Sequence, residues 1–304
     1  MRTIYIKSKR KNETVISYLK SIFPNMITST LYKALRNKDI RLNNVKINID
    51  CCVKYNDKLD IYISDIYLFN LPKNLTTIYE DDNILAVYKP QGILSNIEKF
   101  DEENMKRIGG LEPTLETIVC KVNSNYKICH RLDRNTAGVV IFSKNEIAYL
   151  EMLKAFKEGY IHKEYIAYVA NSNFEKEHDI LEKYILKQKD SFSKIYDKKV
   201  ANSKKIITEY YVLQKNIDDD FAILKVIIHT GKTHQIRAQL ANISHPIIGD
   251  PKYGKNEINK KFKIYKQLLF AVKYSFSFYK DSPLSYLNNI SISLDENLYN
   301  NMIR

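Results

Sequence analysis

No stretch of the sequence approaches the ~18 consecutive apolar residues that a membrane-spanning helix needs. The opening Met1-Arg2-Thr3-Ile4-Tyr5-Ile6-Lys7 is broken by charge too early for a secretory leader, so a cytoplasmic protein with no membrane partner is expected. Cysteine is scarce and poorly spaced: Cys51, Cys52, Cys120 and Cys129 contain no C-x-x-C pair, and two of them are adjacent. That pattern suits neither a disulfide framework nor a tetrahedral zinc site, and reduced thiols are expected. Arginine is rarer than the basic character of the chain suggests, at 9 of 48 Lys+Arg residues. A planar guanidinium grips carboxylate or phosphate in ways an ammonium does not, so each Arg in so lysine-rich a chain marks a place to inspect.

What is present is an ordinary globular composition, 44% hydrophobic and 27% charged over 304 residues. That length accommodates one large domain and a smaller one. The formal charge of +13 makes polyanions such as nucleic acid the natural partners. The excess is uneven: residues 1–65 hold 13 Lys+Arg against 6 Asp+Glu, a net of +7.

Those 65 residues predict a small domain. Val15, Tyr18, Leu19 and Ile22 repeat at helical spacing up to Pro24, and Thr28 or Ser29 is placed to cap a second helix carrying Leu31, Ala34 and Leu35. Ile40, Leu42, Val45 and Ile47 alternate around Asn43-Asn44, which predicts a hairpin, and Leu59, Ile61 and Ile63 continue as a strand. Lys33, Arg36, Lys38 and Arg41, on or just after the second helix, form either a phosphate-tracking face or a plain solvated one. A linker containing Pro72 is expected next. Beyond it, strands are predicted at Ile84–Tyr88, Ala137–Phe142, Ile161–Ala170, Ile206–Leu213, Phe221–Ile228 and Phe270–Phe278. One helix stands out, with a capping box at Ser143 to Glu146, an apolar face of Ile147, Leu150, Leu153 and Phe156, and a stop at Gly159. Helices inserted irregularly among strands point to an α+β fold with a mixed, largely antiparallel sheet.

Two polar segments are dense in functional groups. His130-Arg131-Leu132-Asp133-Arg134-Asn135-Thr136 runs straight into the apolar strand at Val139, as a reactive loop held on a sheet would. By its residues alone it reads more readily as an exposed turn with salt bridges worth roughly 0 to 1 kcal/mol each. The second, His229 to Arg237, contains Gly231-Lys232-Thr233, but position 226 is Val where a nucleotide-binding phosphate loop needs Gly. His229 and His234 have no acidic residue or Cys nearby at ligand spacing, so no metal is expected.

Four blocks in order resemble the RluA-type RNA pseudouridine synthases. They are Ile84 to Gly92 (I-L-A-V-Y-K-P-Q-G), His130 to Lys144 (H-R-L-D-R-N-T-A-G-V-V-I-F-S-K), Lys163-Glu164-Tyr165, and Thr230 to Gly254 with T-G-K-T-H-Q-I-R and H-P-I-I-G-D-P-K-Y-G. Residues 1–65 are similar to the S-four-type RNA-binding domain. The resemblance implies a pseudouridine synthase fold over 77–304, a linker at 66–76 and an RNA-binding domain at 1–65. It implies that Asp133 is the catalytic carboxylate, Arg237 its partner, and Tyr165 the aromatic against the target base. Arg131 would fill the vacated stack or grip phosphate, with Arg134, Thr136, Lys89 and Lys163 as further substrate contacts. The basic face of Lys33, Arg36, Lys38 and Arg41 would hold RNA. Neither cofactor nor metal is implied, and a monomer is expected. The implied substrate is structured RNA: large-subunit ribosomal RNA first, transfer RNA second. A non-catalytic RNA-binding or ribosome-assembly protein is the alternative from another class. An ionised carboxylate can assist the isomerisation by adding to sugar or base, or by removing a sugar proton, and the sequence leaves these open. Lys232 stands where the family usually has Arg, Ala137 where Ser is common, Ser244 where Gly is common, and Ser95-Asn96 replaces a usual V-H-P.

Overall fold

In the computed structural model, which describes residues 1–97, 101–188 and 192–300, the chain runs β1 (Arg2–Tyr5), α1 (Val15–Ile22), α2 (Thr28–Arg36), β2 (Ile40–Leu42), β3 (Val45–Ile47), β4 (Lys58–Ile61) and α3 (Asp65–Leu68). It continues through β5 (Thr77–Glu80), β6 (Ile84–Lys89), α4 (Glu102–Ile108), α5 (Leu115–Val119), β7 (Lys127–Ile128), β8 (Ala137–Ser143), α6 (Glu146–Glu158) and β9 (Ile161–Ala170). The last elements are β10 (His178–Lys187), β11 (Ser193–Tyr196), β12 (Lys204–Asn216), β13 (Phe221–Ile228), α7 (Gln235–Asn242), α8 (Asn256–Phe262), β14 (Leu269–Phe276) and β15 (Ser291–Ser293). Two units result: Met1–Leu75 with Gly92–Ile118, and Thr76–Gln91 with the chain from Val119 on.

The first unit is a four-stranded antiparallel sheet, β1-β4-β2-β3, under two helices. Asn43 and Asn44 both take positive φ, 49° and 69°, as the tight turn between β2 and β3 requires. Thr14 caps α1 by accepting from the Ser17 amide, and Val15, Tyr18, Leu19 and Ile22 are buried as their spacing predicts. The expected cap of α2 is absent. Ile27 occupies the cap position, and the Thr28 hydroxyl instead accepts from Lys20 Nζ at 2.7 Å.

The stretch after residue 65 is packed rather than slack, because Leu68 is fully buried in this core. Arg2 explains how the Gly92–Ile118 segment joins. Its guanidinium donates twice to Asp65, at 2.7 and 3.0 Å, and to the carbonyls of Ile108 and Leu111 at 3.0 and 2.7 Å. A buried charge is tolerated when each of its nitrogens finds a polar partner in this way.

The second unit is built on a sheet ordered β11-β10-β12-β13-β9-β14-β8-β6-β5, with β15 on β14 and β7 on β8. Among the described residues every strand pairing of this sheet is antiparallel except β8 with β14, which gives the mixed, largely antiparallel α+β fold expected. Gly138 makes that junction possible: at φ 133°, a Cβ there would lie 2.3 Å from the Ala271 carbonyl oxygen.

Helix α6 corrects two expectations. Asn145, not Ser143, caps it by accepting from the Ala148 amide at 2.9 Å. The face turned inward is Ala148, Met152 and Ala155, whereas Ile147, Leu150 and Leu153 are 65%, 59% and 39% exposed. Of the expected stripe only Phe156 is packed, its ring centre 4.6 Å from that of His130. Among the described residues no helix is long and apolar enough to cross a membrane.

Candidate active site

The loop from β7 to β8 presents Asp133, and hydrogen bonds and ring contacts hold its shape. The Thr136 amide donates to the Asp133 carbonyl at 3.0 Å, closing a turn, and the Thr136 hydroxyl accepts from Gln267 Nε2 at 3.0 Å. Lys89 Nζ donates to the carbonyls of Pro90 and Arg134, each at 3.1 Å. The Ile141 amide donates to His130 Nε2 at 3.0 Å, while the His130 ring is flanked by Phe156 and Tyr274 with centroids at 4.6 and 4.9 Å.

Two expected RNA contacts are therefore corrected. Lys89 is 0% and Thr136 3% exposed, and their polar groups are spent inside the protein, so both brace the loop rather than meet RNA. Burial pulls the Lys89 ammonium down to about 7, with the Asp133 charge opposing and Arg134 reinforcing the shift.

Arg237 on α7 is the organising cation. Its Nη1 donates to Asp133 Oδ2 at 2.9 Å, while Nε and Nη2 donate to the two oxygens of Asp250 at 2.7 and 2.9 Å. Asp250 is fully buried and also accepts from the amides of Lys252 and Tyr253 at 2.7 and 3.1 Å. Burial pushes the Asp250 carboxyl up, but Arg237 and these amides outweigh it and hold it below the usual carboxylate range. Burial likewise opposes charge on Arg237, and the two carboxylates more than reverse that. One half of the guanidinium fork is thus anchored, and the other aims Asp133, whose side chain keeps 18% of its surface open. Asp133 Oδ1 has no hydrogen bond from any described residue.

His234, which adopts φ 60° just before α7, stands beside this pair with Nε2 3.8 Å from Asp133 Oδ2. The Tyr253 hydroxyl accepts from the Ser193 amide at 2.7 Å and lies 3.0 Å from His234 Nδ1. Burial drives the His234 imidazole down to about 4, Asp133 opposing. Tyr165 on β9 is buried, and burial, with the Asp133 charge adding to it, pushes its phenol well above the usual range. It is a neutral aromatic surface near the carboxylate.

The structure thus pairs Asp133 with Arg237 directly and places Tyr165 where it feels the Asp133 charge. Arg131 is exposed and Arg134 half-buried on the same loop, and Lys163 is half-buried two residues before Tyr165 on the same strand face. In the first unit Lys33 and Arg36 are exposed on α2, and Lys38 is exposed beyond its end. Arg41 departs from that group: it lies on β2, its guanidinium 5.0 Å from the Tyr62 ring centre. His229 turns away to Glu209 at 3.0 Å. Sequence reasoning gave no role to Asp250 or Tyr253 and weighed His234 only as a metal ligand. The available signal was Arg237 itself, since an Arg buried on a helix needs a fixed acidic partner.

Comparison with known proteins bears directly on this arrangement. A family model described as RNA pseudouridylate synthase matches residues 83–242, which include Asp133, Tyr165 and Arg237. The chain belongs to that family. A ribosomal large subunit pseudouridine synthase C from Rickettsia felis is 33% identical over 261 residues, covering 79% of this chain and 81% of its own length. An uncharacterized RNA pseudouridine synthase from Mycoplasma capricolum is 32% identical over 302 residues, covering 95% and 96%. The solved human RNA pseudouridylate synthase domain containing 1 shares the fold, with a TM-score of 0.55 at 20% identity over 69% of this chain and 81% of that one.

In this pseudouridine synthase buried histidines set an acid limit on stability, His130 and His234 foremost, with His245 also held low by burial. His130 is held down to about 3 and His234 to about 4, burial being the main cause in each. An unfolded histidine titrates near ~6.5, so below that pH the unfolded chain binds protons that the folded one refuses. Unfolding free energy should fall as pH drops through this window, by up to about 1.4 kcal/mol per pH unit for each histidine. Asp250 and Glu209, both held low, add to the loss only below about pH 4. Urea midpoints measured at pH 7 and pH 5 are expected to differ, the lower at pH 5, with a smaller gap in His130→Asn. Equal midpoints in the unaltered protein would contradict this account of the buried rings.

Proposed function

We propose that this enzyme converts uridines of large-subunit ribosomal RNA to pseudouridine, with Asp133 acting on the nucleotide, Arg237 aligning it and Tyr165 packing on the extruded uracil. The observation that carries this reading is the divided guanidinium of Arg237, which is anchored on buried Asp250 and donates to only one oxygen of Asp133. The second oxygen is left for substrate. In the reaction the C1′–N1 bond breaks, C1′ bonds to C5, the C5 proton leaves to solvent and N1 gains a proton. The change is an isomerisation, so no electron or group is needed from outside and no cofactor enters the scheme. Asp133 serves either by attacking sugar or base or by removing a sugar proton. Stacking on Tyr165, worth roughly 1 to 3 kcal/mol, offsets part of the few kcal/mol that extrusion of a base costs. Arg131, exposed on the catalytic loop, fills the vacated stack or grips phosphate.

The first unit would serve as an S-four-type RNA-binding domain through Lys33, Arg36 and Lys38. The large-subunit substrate is supported by the names of relatives at about 30% identity and by the basic excess of the first 65 residues. The test is tritium release from transcripts made with 5-tritiated uridine, since every isomerised uridine loses its C5 hydrogen. Release from large-subunit ribosomal RNA is expected. Release from transfer RNA alone would move the substrate, and release from neither would contradict the reading.

A further inference from the structure

Strand β13 runs antiparallel beside β9, with Ile227 opposite Glu164, so the loop after β13 lies against the start of β9. There the Lys163 ammonium comes within 4.0 Å of the point where a Cβ on Gly231 would sit, and within 6.0 Å of the Phe156 ring centre. Lys232, the next residue of the loop, is exposed beside it. Neither ammonium has an ion-pair partner among the described residues. The nearest acid in sequence, Glu164, points to the opposite face of the strand and pairs with Lys273 at 3.6 Å. Burial and the neighbouring Lys232 charge both pull the Lys163 ammonium below its ordinary value, so this juxtaposition costs stability in the free protein. Two lysines that feel each other's charge, one against Gly231 and the other next to it in sequence, with neither paired to an acid among the described residues, form the complement of an anion. Lys163 also shares its strand face with Tyr165, about 7 Å along the strand.

We propose that Lys163 and Lys232 form a two-ammonium seat for one phosphate of the substrate strand, at the target uridine or its immediate neighbour. The identity of the anion as an RNA phosphodiester rests on the reading of the enzyme given above; the seat itself rests on the two unpaired cations. Gly231 brings the loop backbone up to the Lys163 ammonium, at ordinary van der Waals distance from where a Cβ would sit. Lysine suits the task because a point charge follows a phosphate through changes of angle that a guanidinium fork resists.

The full-length protein, its lysines labelled as 13C-dimethylamines that keep their charge, tests this by NMR. Lys163→Gln and Lys232→Gln assign the two resonances. Titration with the dinucleotide UpU should move both along one binding curve, uridine should move neither, and inorganic phosphate in a separate arm shows whether a free anion suffices. UpU that moves neither resonance, or only one, would overturn the seat. In tritium release, Lys163→Gln/Lys232→Gln should raise KM about tenfold more than it lowers kcat. The slope of log affinity against log salt should become shallower by about 0.7, as expected for one phosphate of a single strand. An unchanged KM and slope would also overturn it. Absence of release with the unaltered enzyme would count against the proposed activity and leave the titration to judge the seat.

Discussion

Replacing Asp133 by Asn is expected to lower the rate of pseudouridine formation at least about a thousandfold, near 4 kcal/mol at 1.36 kcal/mol per decade. Asn keeps the size of the side chain and one oxygen for Arg237, so the loop, braced by Thr136, Lys89 and His130, should hold its shape. What is lost is the negative charge and the free oxygen that meets the substrate. The RNA dissociation constant should therefore move little, because the contacts proposed for binding lie elsewhere. Single-turnover tritium release and filter binding separate the two quantities. Activity within tenfold of the unaltered enzyme would show that Asp133 is not the reacting group.

The second large effect concerns Arg237. Arg237→Ala strips Asp250 of its cation at a site with no exposure, and an uncompensated buried charge costs about 3 to 5 kcal/mol. Activity should vanish as well, since Asp133 loses its alignment. A merely unfolded variant would be uninformative, so Arg237→Leu/Asp250→Leu supplies the control: both charges are removed together, and replacement by apolar groups is often neutral or better for stability. The double variant should regain most of the stability lost by Arg237→Ala in urea melts while forming no pseudouridine. A double variant that is both stable and active would show that the guanidinium plays no part in the reaction.

Much of this arrangement was legible in the sequence where the signals are local. Period-two alternation placed β9 and β13 to the residue, and Asn43-Asn44 fixed the hairpin because few other residues accept positive φ twice in succession. The loop that presents Asp133 beside Arg237 was legible through motif, which concentrates several constraints in a few positions. What failed was whatever depends on distant partners. The inward face of α6 was misread because hydrophobicity favours Ile147 and Leu150, while the side chains buried are Ala148, Met152 and Ala155. Lys89 looked like a surface charge because no local pattern reveals that Pro90 and Arg134 carbonyls surround it. The tie of Arg2 to Ile108 and Leu111 spans more than a hundred residues, so a boundary at residue 65 misses the later segment that completes the first unit.

The central claim, that this chain makes pseudouridine through Asp133, is tested most directly in cells. Pseudouridine would be mapped by carbodiimide adducts and primer extension across ribosomal and transfer RNA, comparing cells lacking the protein with cells given back the unaltered chain or Asp133→Asn. Discrete sites in large-subunit RNA should disappear with the protein and return only with the unaltered chain. Sites that return equally with Asp133→Asn, or a map that never changes, would contradict the account.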